Sequence, residues 1–292
     1  MPEIIDLVDQ TEYFIPNLTV HKLRTFKTCK RQYLFHHILR LRPAERPVSY
    51  KMSVGSAYAA GLQVYRTTEG DLPAAMFTAA REYILQTGVT DYRQLYNPAL
   101  LINMLQAYDV AWPYWADYRP FMYPNGELGV ENEFQTTLEI TYDKHELIYS
   151  TKPDAIYVSP EDKIIIVDDK SGYGGGKESQ NAAYQIDMQM CMYLHCAREN
   201  GIPAHSIEIR NCRYLASGVH CYPNPVYISD KIVDETVQLV NYIAEQLTRS
   251  DCFKLYADYA ANYHCTTCPY LDICRFGRWS EDQFEIKEKS ER

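Results

Sequence analysis

No stretch of the 292-residue chain approaches the roughly 18 consecutive apolar residues of a membrane-spanning helix, so no span is expected. The opening Met1-Pro2-Glu3-Ile4-Ile5-Asp6 has neither the basic start nor the apolar run of a secretory leader. Positive charge is short as well: 29 Lys and Arg face 38 Asp and Glu, a net charge of −9. A uniformly basic surface is thereby excluded, and any polyanion must be met by a local patch. The nine cysteines show close, regular spacing in one place only. Without a leader they fit a reducing, cytoplasmic setting, where metal binding is more frequent than disulfides. The G-x-x-x-x-G-K-[S/T] spacing of a P-loop is also missing. The glycine-rich Gly172-Tyr173-Gly174-Gly175-Gly176-Lys177 therefore reads as a mobile loop over a site.

What is present is a globular composition, 46% apolar with 26 tyrosines. Length allows one large domain or two small ones. The reading adopted is a single domain over 1–292, with a helical part at 19–120, a sheet core at 129–228 and a helix plus cysteine motif at 229–280. A helix begins near Thr19, with Leu23, Phe26, Tyr33, Leu34 and Ile38 at helical spacing and Cys29 inside it. Between His21 and Arg46 stand Lys22, Arg24, Lys27, Lys30, Arg31, Arg40, Arg42 and Arg46 against the single acid Glu45. That excess suggests a phosphate-facing surface. A second helix covers 50–66. Residues 72–118 read as helical and aromatic, punctuated by Asn97-Pro98; Trp112, Tyr114, Trp115 and Tyr118 suit an aromatic core better than base stacking.

Alternation over Val130–Ile140 and Leu147–Tyr149 reads as strands that enter a mixed sheet edged by helices, an α/β fold. Further strands are expected at Ser206–Tyr214 and Tyr222–Ile228, and an amphipathic helix at about 230–249. Cys191, Cys196, Cys212, Cys221 and Cys252 lack motif spacing and read as structural thiols.

The chemistry sits between these strands. Ile164-Ile165-Ile166-Val167 is a buried strand that runs into Asp168-Asp169-Lys170. Charge at the mouth of an apolar strand is costly unless something uses it. Asp168 and Lys170 point to the same side of the strand. Upstream, Asp154 opens a second β-rich run, and Ser159-Pro160-Glu161-Asp162-Lys163 is a turn that can bring Asp154 beside Asp168. Two carboxylates and a lysine are the minimal set for phosphodiester hydrolysis by a divalent ion, and hard oxygen ligands favour Mg²⁺ or Mn²⁺. Glu131 or Glu133 could add a carboxylate, although an outward-facing strand glutamate is the more frequent case. Farther on, Gln189 and Tyr193 lie one helical turn apart.

Asp154, Asp168-x-Lys170 and Gln189-x-x-x-Tyr193 together resemble the RecB-like branch of the PD-(D/E)XK nuclease superfamily. The resemblance reaches both chain ends. Cys265-x2-Cys268-x5-Cys274 supplies three thiolates, and a closed site needs a fourth, for which Cys29 is the candidate. One early cysteine and three late ones resemble the iron–sulfur subset of this family; zinc uses similar spacing.

The resemblance implies a restriction-endonuclease-like core stapled at its ends by a 4Fe-4S cluster on Cys29, Cys265, Cys268 and Cys274. It also implies a metal held by Asp154, Asp168 and Asp169, the last through its carbonyl. Lys170 would orient water, with Gln189 and Tyr193 supporting the site. The implied activity is metal-dependent cleavage of DNA, single strands or ends, as in CRISPR-adaptation exonucleases and recombination helicase-nucleases. Protein partners in such complexes are implied too, while this chain has no helicase motif. One position departs: where the family has a histidine four residues after Gly55, this chain has Ala59. A catalytically weak or inactive DNA-binding subunit is therefore the alternative.

Overall fold

β6, Ile164–Tyr173, runs through the centre of a five-stranded sheet. The computed structural model describes residues 17–44, 50–88, 96–114, 118–142, 145–173, 183–215, 217–249, 263–277 and 283–286. They fall into two compact units: 1–47 with 136–150 and 237–292, and 48–135 with 151–236. Among the described residues no helix is long and apolar enough to cross a membrane.

The second unit holds the sheet, in the order β2 (Arg119–Pro120), β5 (Ala155–Val158), β6, β7 (Ala204–Leu215), β8 (Gly218–Val226). β5 and β6 are antiparallel, β6 and β7 parallel, β7 and β8 antiparallel. A parallel neighbour demands a crossover. It contains α6, Met188–Glu199, whose apolar side chains from Met190 to Leu194 are buried. The Asp187 side chain caps α6 by accepting from the Gln189 N–H at 2.8 Å.

Three further helices pack in this unit: α3 (Tyr50–Thr67), α4 (Leu72–Thr87) and α5 (Tyr96–Ala111). Their shared core joins Ala57, Leu62, Ala79, Tyr83, Leu101 and Tyr108. Gly61 lets them approach: a Cβ there would lie 3.0 Å from the Ala75 carbonyl and from Leu105. Asn97-Pro98 falls in the first turn of α5, where a missing N–H costs nothing. The stretch 89–95 between α4 and α5 lies outside the described residues.

The first unit holds α1 (Val20–Thr28), α2 (Lys30–Tyr33) and a π turn at Leu34–Ile38. The expected continuous helix is thus broken at Cys29, which is extended (φ −159) and whose Sγ accepts from the Gln32 N–H at 3.4 Å, starting α2. β3 (Phe134–Tyr142) and β4 (His145–Thr151) form a two-stranded sheet of their own, bridged at Tyr149 by Leu18, so the expected entry of this hairpin into the main sheet is corrected.

β1 (Leu41–Pro43) pairs with β9 (Phe284–Ile286). Tyr270, fully buried, donates its hydroxyl to the Leu41 carbonyl at 2.8 Å and lies 2.8 Å from His36 Nδ1. Its single proton is used on Leu41, so His36 carries the proton on Nδ1. Residues 36–43 and 270–286 therefore meet through protein contacts. α7 (Asp230–Thr248) buries Val233, Val240, Ile243 and Leu247, the expected apolar stripe.

Candidate active site

The β5–β6 turn sets the register of the site. Ser159 N–H donates to the Lys163 carbonyl at 2.9 Å, and the Ser159 hydroxyl accepts from the Glu161 and Lys163 amides at 3.3 Å. Asp162 takes the left-handed conformation (φ 57) that this turn needs. Ala155 then faces Val167, which brings Asp154 to the Asp168–Asp169 end of β6. The Asp169 N–H donates to Asp154 Oδ2 at 2.6 Å.

Alternation on β6 sends Asp168 and Lys170 to one face and Asp169 to the other. On the first face Lys170 Nζ lies 2.6 Å from Asp168 Oδ2. The Tyr193 hydroxyl lies 3.2 Å from Asp168 Oδ1, and Gln189 Nε2 donates to that hydroxyl at 2.7 Å. Asp154, Asp168, Lys170, Gln189 and Tyr193 are thus brought together. Asn211, fully buried, is the register partner of Lys170. Arg213 donates to Asn211 Oδ1 at 3.2 Å, and its guanidinium sits 2.9 Å from where a Cβ on Gly172 would project. Gly172 and Tyr173 belong to β6 rather than to a loop; residues 174–177 of the glycine-rich stretch lie outside the described residues. Tyr184 lies near enough to feel the charges of both Lys170 and Arg213.

Asp169 turns the other way, onto Arg66 of α3. Arg66 is 1% exposed and also donates to the Tyr108 hydroxyl at 2.9 Å and to the Asp154 carbonyl at 3.4 Å. The Asp169 carboxylate is therefore committed to an ion pair, and only its main chain remains for the expected metal role. Asp169 Oδ1 is buried without a hydrogen-bond partner.

Arg210 donates to the same Tyr108 hydroxyl and to Glu208, each at 2.8 Å. Trp112 at 5.2 Å, Tyr118 at 6.0 Å and Tyr157 at 4.7 Å cage its guanidinium. The aromatics Trp112 and Tyr118 thus serve a buried cation; Trp115 lies outside the described residues. Arg66, Arg210, Asn211 and Arg213 escaped sequence reasoning. A single arginine in a helix or strand carries no pattern, and only pairing across elements distinguishes it.

The electrostatics are those of a site short of positive charge. Burial, then the charges of Asp169 and Asp168, push the Asp154 carboxyl up to about 8. Burial also raises Asp168, restrained by Lys170. Burial would lower Lys170, but the Asp168 carboxylate overrides it and holds the ammonium above its ordinary value. Burial raises the Tyr193 hydroxyl strongly, so it stays a donor. Crowded, buried carboxylates suit a hard divalent cation such as Mg²⁺ or Mn²⁺. Asp154 and Asp168 are the side chains that fit it. Among the described residues no three His, Cys, Asp or Glu are already gathered as a metal site.

Glu131 is engaged elsewhere, 2.6 Å from Lys152 Nζ, and Glu133 accepts from Gln135 at 3.4 Å. Ala59 is half-buried and supplies no ligand atom.

Cys29, Cys265, Cys268 and Cys274, none of them in a disulfide, lie in the first unit. Burial, then the charges of Cys274, Cys29 and Cys265, raise Cys268. Burial raises Cys274 against the opposing pull of Arg31. The four thiols are electrostatic neighbours, but they too are not gathered as a metal site. In the basic stretch, Lys22 donates to the Asn17 carbonyl at 2.6 Å and Arg42 to the Leu41 carbonyl at 3.1 Å, so part of it turns inward.

A family model described as PD-(D/E)XK nuclease superfamily matches residues 17–275. A candidate exonuclease from Eubacterium rectale, of known structure, is 15% identical with a TM-score of 0.53; the match covers 94% of this chain and 91% of that one. SSO0001, also of known structure, is 13% identical with a TM-score of 0.33, covering 77% of this chain and 86% of that one. Among curated proteins no significant match is found.

Proposed function

The chain belongs to the PD-(D/E)XK nuclease superfamily, and from that premise we propose that it is a divalent-metal-dependent deoxyribonuclease of the RecB-like branch. Its substrate is DNA, attacked at ends or in single strands, in recombination, repair, phage DNA metabolism or CRISPR adaptation. One observation carries the reading: Asp168 is held between Lys170 and the Tyr193 hydroxyl, with Asp154 across the hairpin.

When bound, Mg²⁺ or Mn²⁺ supplies Lewis-acid chemistry and a nucleophile at neutral pH. Asp154 and Asp168 are the side chains that hold it, with the Asp169 carbonyl as a further ligand. Tyr193 and Gln189 fix the orientation of the Asp168 carboxylate. Lys170 stays an ammonium, because Asp168 favours its charged form, and it acts by stabilising negative charge on the phosphate rather than by taking a proton. Arg213 and Tyr184, linked to Lys170 by the charges Tyr184 senses, would be the next side chains to meet the phosphate. Arg66 holds Asp169, and through it the β5–β6 geometry.

A 4Fe-4S cluster on Cys29, Cys265, Cys268 and Cys274 completes the proposal as a structural element. The proximity of four thiols from the two ends of the chain supports it. A second reading, a non-cleaving DNA-binding subunit, is favoured by Ala59 in place of a ligand.

Anaerobically purified protein should be incubated with end-labelled single- and double-stranded DNA plus Mg²⁺ or Mn²⁺, beside Lys170→Ala. Metal-dependent cleavage by the wild type alone supports the nuclease. Retention of DNA without cleavage by either protein favours the binding subunit.

A further inference from the structure

Cys212 of β7 and Cys221 of β8 stand directly opposite in the antiparallel ladder, with their sulfurs 3.1 Å apart. Directly opposite residues in such a ladder have Cα atoms about 4.5–5.5 Å apart, inside the roughly 4.4–6.8 Å range that a disulfide spans. Closing to a bond of about 2.05 Å therefore takes about one ångström of side-chain movement and no backbone rearrangement. The sequence hides this pair, because eight intervening residues form no cysteine motif. Cys212 is 1% exposed. Cys221 is half-buried and lines a cleft of about 430 Å³ with Gln106, Val110, Val219 and His220. One thiol can thus be reached from solvent and the other only through it.

We propose that Cys212 and Cys221 form a dithiol that low-molecular-weight disulfides oxidise reversibly to an intrachain disulfide. The Cys221 thiolate, its proton lost to solvent, attacks a small disulfide RSSR in the cleft. One S–S bond forms to Cys221 and one breaks, releasing RS⁻. The Cys212 thiolate then attacks Cys221 Sγ, forming the Cys212–Cys221 bond and releasing the second RS⁻. Each released thiolate takes up one proton, so the protein gives two hydrogens and RSSR becomes two RSH. The dithiol is oxidised and the small disulfide is reduced.

The hydrogen bond to Cys212, then burial, raise the Cys221 thiol above its ordinary range. Attack therefore speeds up with pH as the thiolate fraction grows. Oxidation also removes the Sγ–H that Cys212 offers the Met104 carbonyl at 3.7 Å. Cys212 is the register partner of Ser171, the residue after Lys170, so the bond pins β7 to β8 beside the Asp168–Lys170 strand. None of this depends on the nuclease reading.

The test treats reduced, folded protein with oxidised glutathione at neutral and mildly alkaline pH, quenches in acid, alkylates and digests with trypsin. Cleavage after Arg210, Arg213 and Lys231 separates Asn211–Arg213 from Tyr214–Lys231. The expected product is these two peptides joined, two hydrogens lighter than their sum, and released by dithiothreitol. Its rate should rise roughly tenfold per pH unit while the thiol stays above ambient pH. Cys212→Ala should instead accumulate glutathione on Cys221, and Cys221→Ser should leave Cys212 unmodified. Wild-type protein that holds glutathione on Cys221 without the linked peptide overturns the proposal. So does a pair left unreacted under conditions that oxidise the denatured chain.

Discussion

The Tyr193 hydroxyl lies 3.2 Å from Oδ1 of Asp168 and receives the Gln189 amide at 2.7 Å. A phenol has one proton, so the Gln189 donation leaves that proton for Asp168. Tyr193→Phe removes the hydroxyl that contacts Asp168 while leaving the buried ring in place. Cleavage should fall about 10–100-fold, the range for groups that orient a metal-holding carboxylate. Gln189→Ala should fall less, and the double variant should be no worse than Tyr193→Phe alone. Kinetics of the four proteins check this; additive losses would show that the two side chains act separately.

Arg66 and Asp169 form an ion pair with side chains 1% and 4% exposed. Arg66→Met leaves the carboxylate buried and uncompensated, at a cost of about 3–5 kcal/mol. Denaturant unfolding should show that loss, and Arg66→Met with Asp169→Asn should regain part of it. A double variant no more stable than Arg66→Met would mean that the arginine acts through packing alone.

Asp154 titrates near 8 in the folded chain, against 3.8 for a free carboxyl. Between these values the folded protein holds a proton that the unfolded chain has lost. The Asp154 contribution is full below about pH 4 and is lost as pH rises through about 8. Cation binding should offset the loss, since it favours the ionised form. Thermal melts should therefore show a larger upward shift with Mn²⁺ at pH 8 than at pH 5, and Asp154→Asn should abolish the difference. Equal shifts at both values in the wild type would count against Asp154 as a ligand.

Cys29 is a helix break whose sulfur faces the α2 amides rather than a buried packing residue. Anaerobically purified protein should carry iron with the broad brown absorbance of a cluster, and Cys29→Ser and Cys274→Ser should each lose it. Cys196→Ser, whose thiol burial raises to about 12, should retain it. Colourless protein holding zinc would replace the cluster with a zinc site.

The sequence alone determined the parts that depend on local pattern. Four β-branched residues before Asp168 specified the central strand, and the Ser159–Lys163 turn specified its hairpin partner. The helical period put Gln189 beneath Tyr193, because residues four apart share a face wherever a helix forms. The β3–β4 hairpin shows the limit: alternation predicts a strand but not which edge it joins, and this one forms a sheet separate from the main one. Cys29 shows it again, since apolar spacing runs through a residue that the backbone holds extended.

What only the tertiary structure decided is pairing between distant elements. Arg66 meets Asp169 across 103 residues and Arg210 meets Tyr108 across 102. Cys212 meets Cys221 through a strand register set by the whole ladder. These partners are chosen by burial. A charge or thiol carried inside by the fold must find its complement there, and which complement is nearest is a property of the packed sheet and helices rather than of any stretch of sequence.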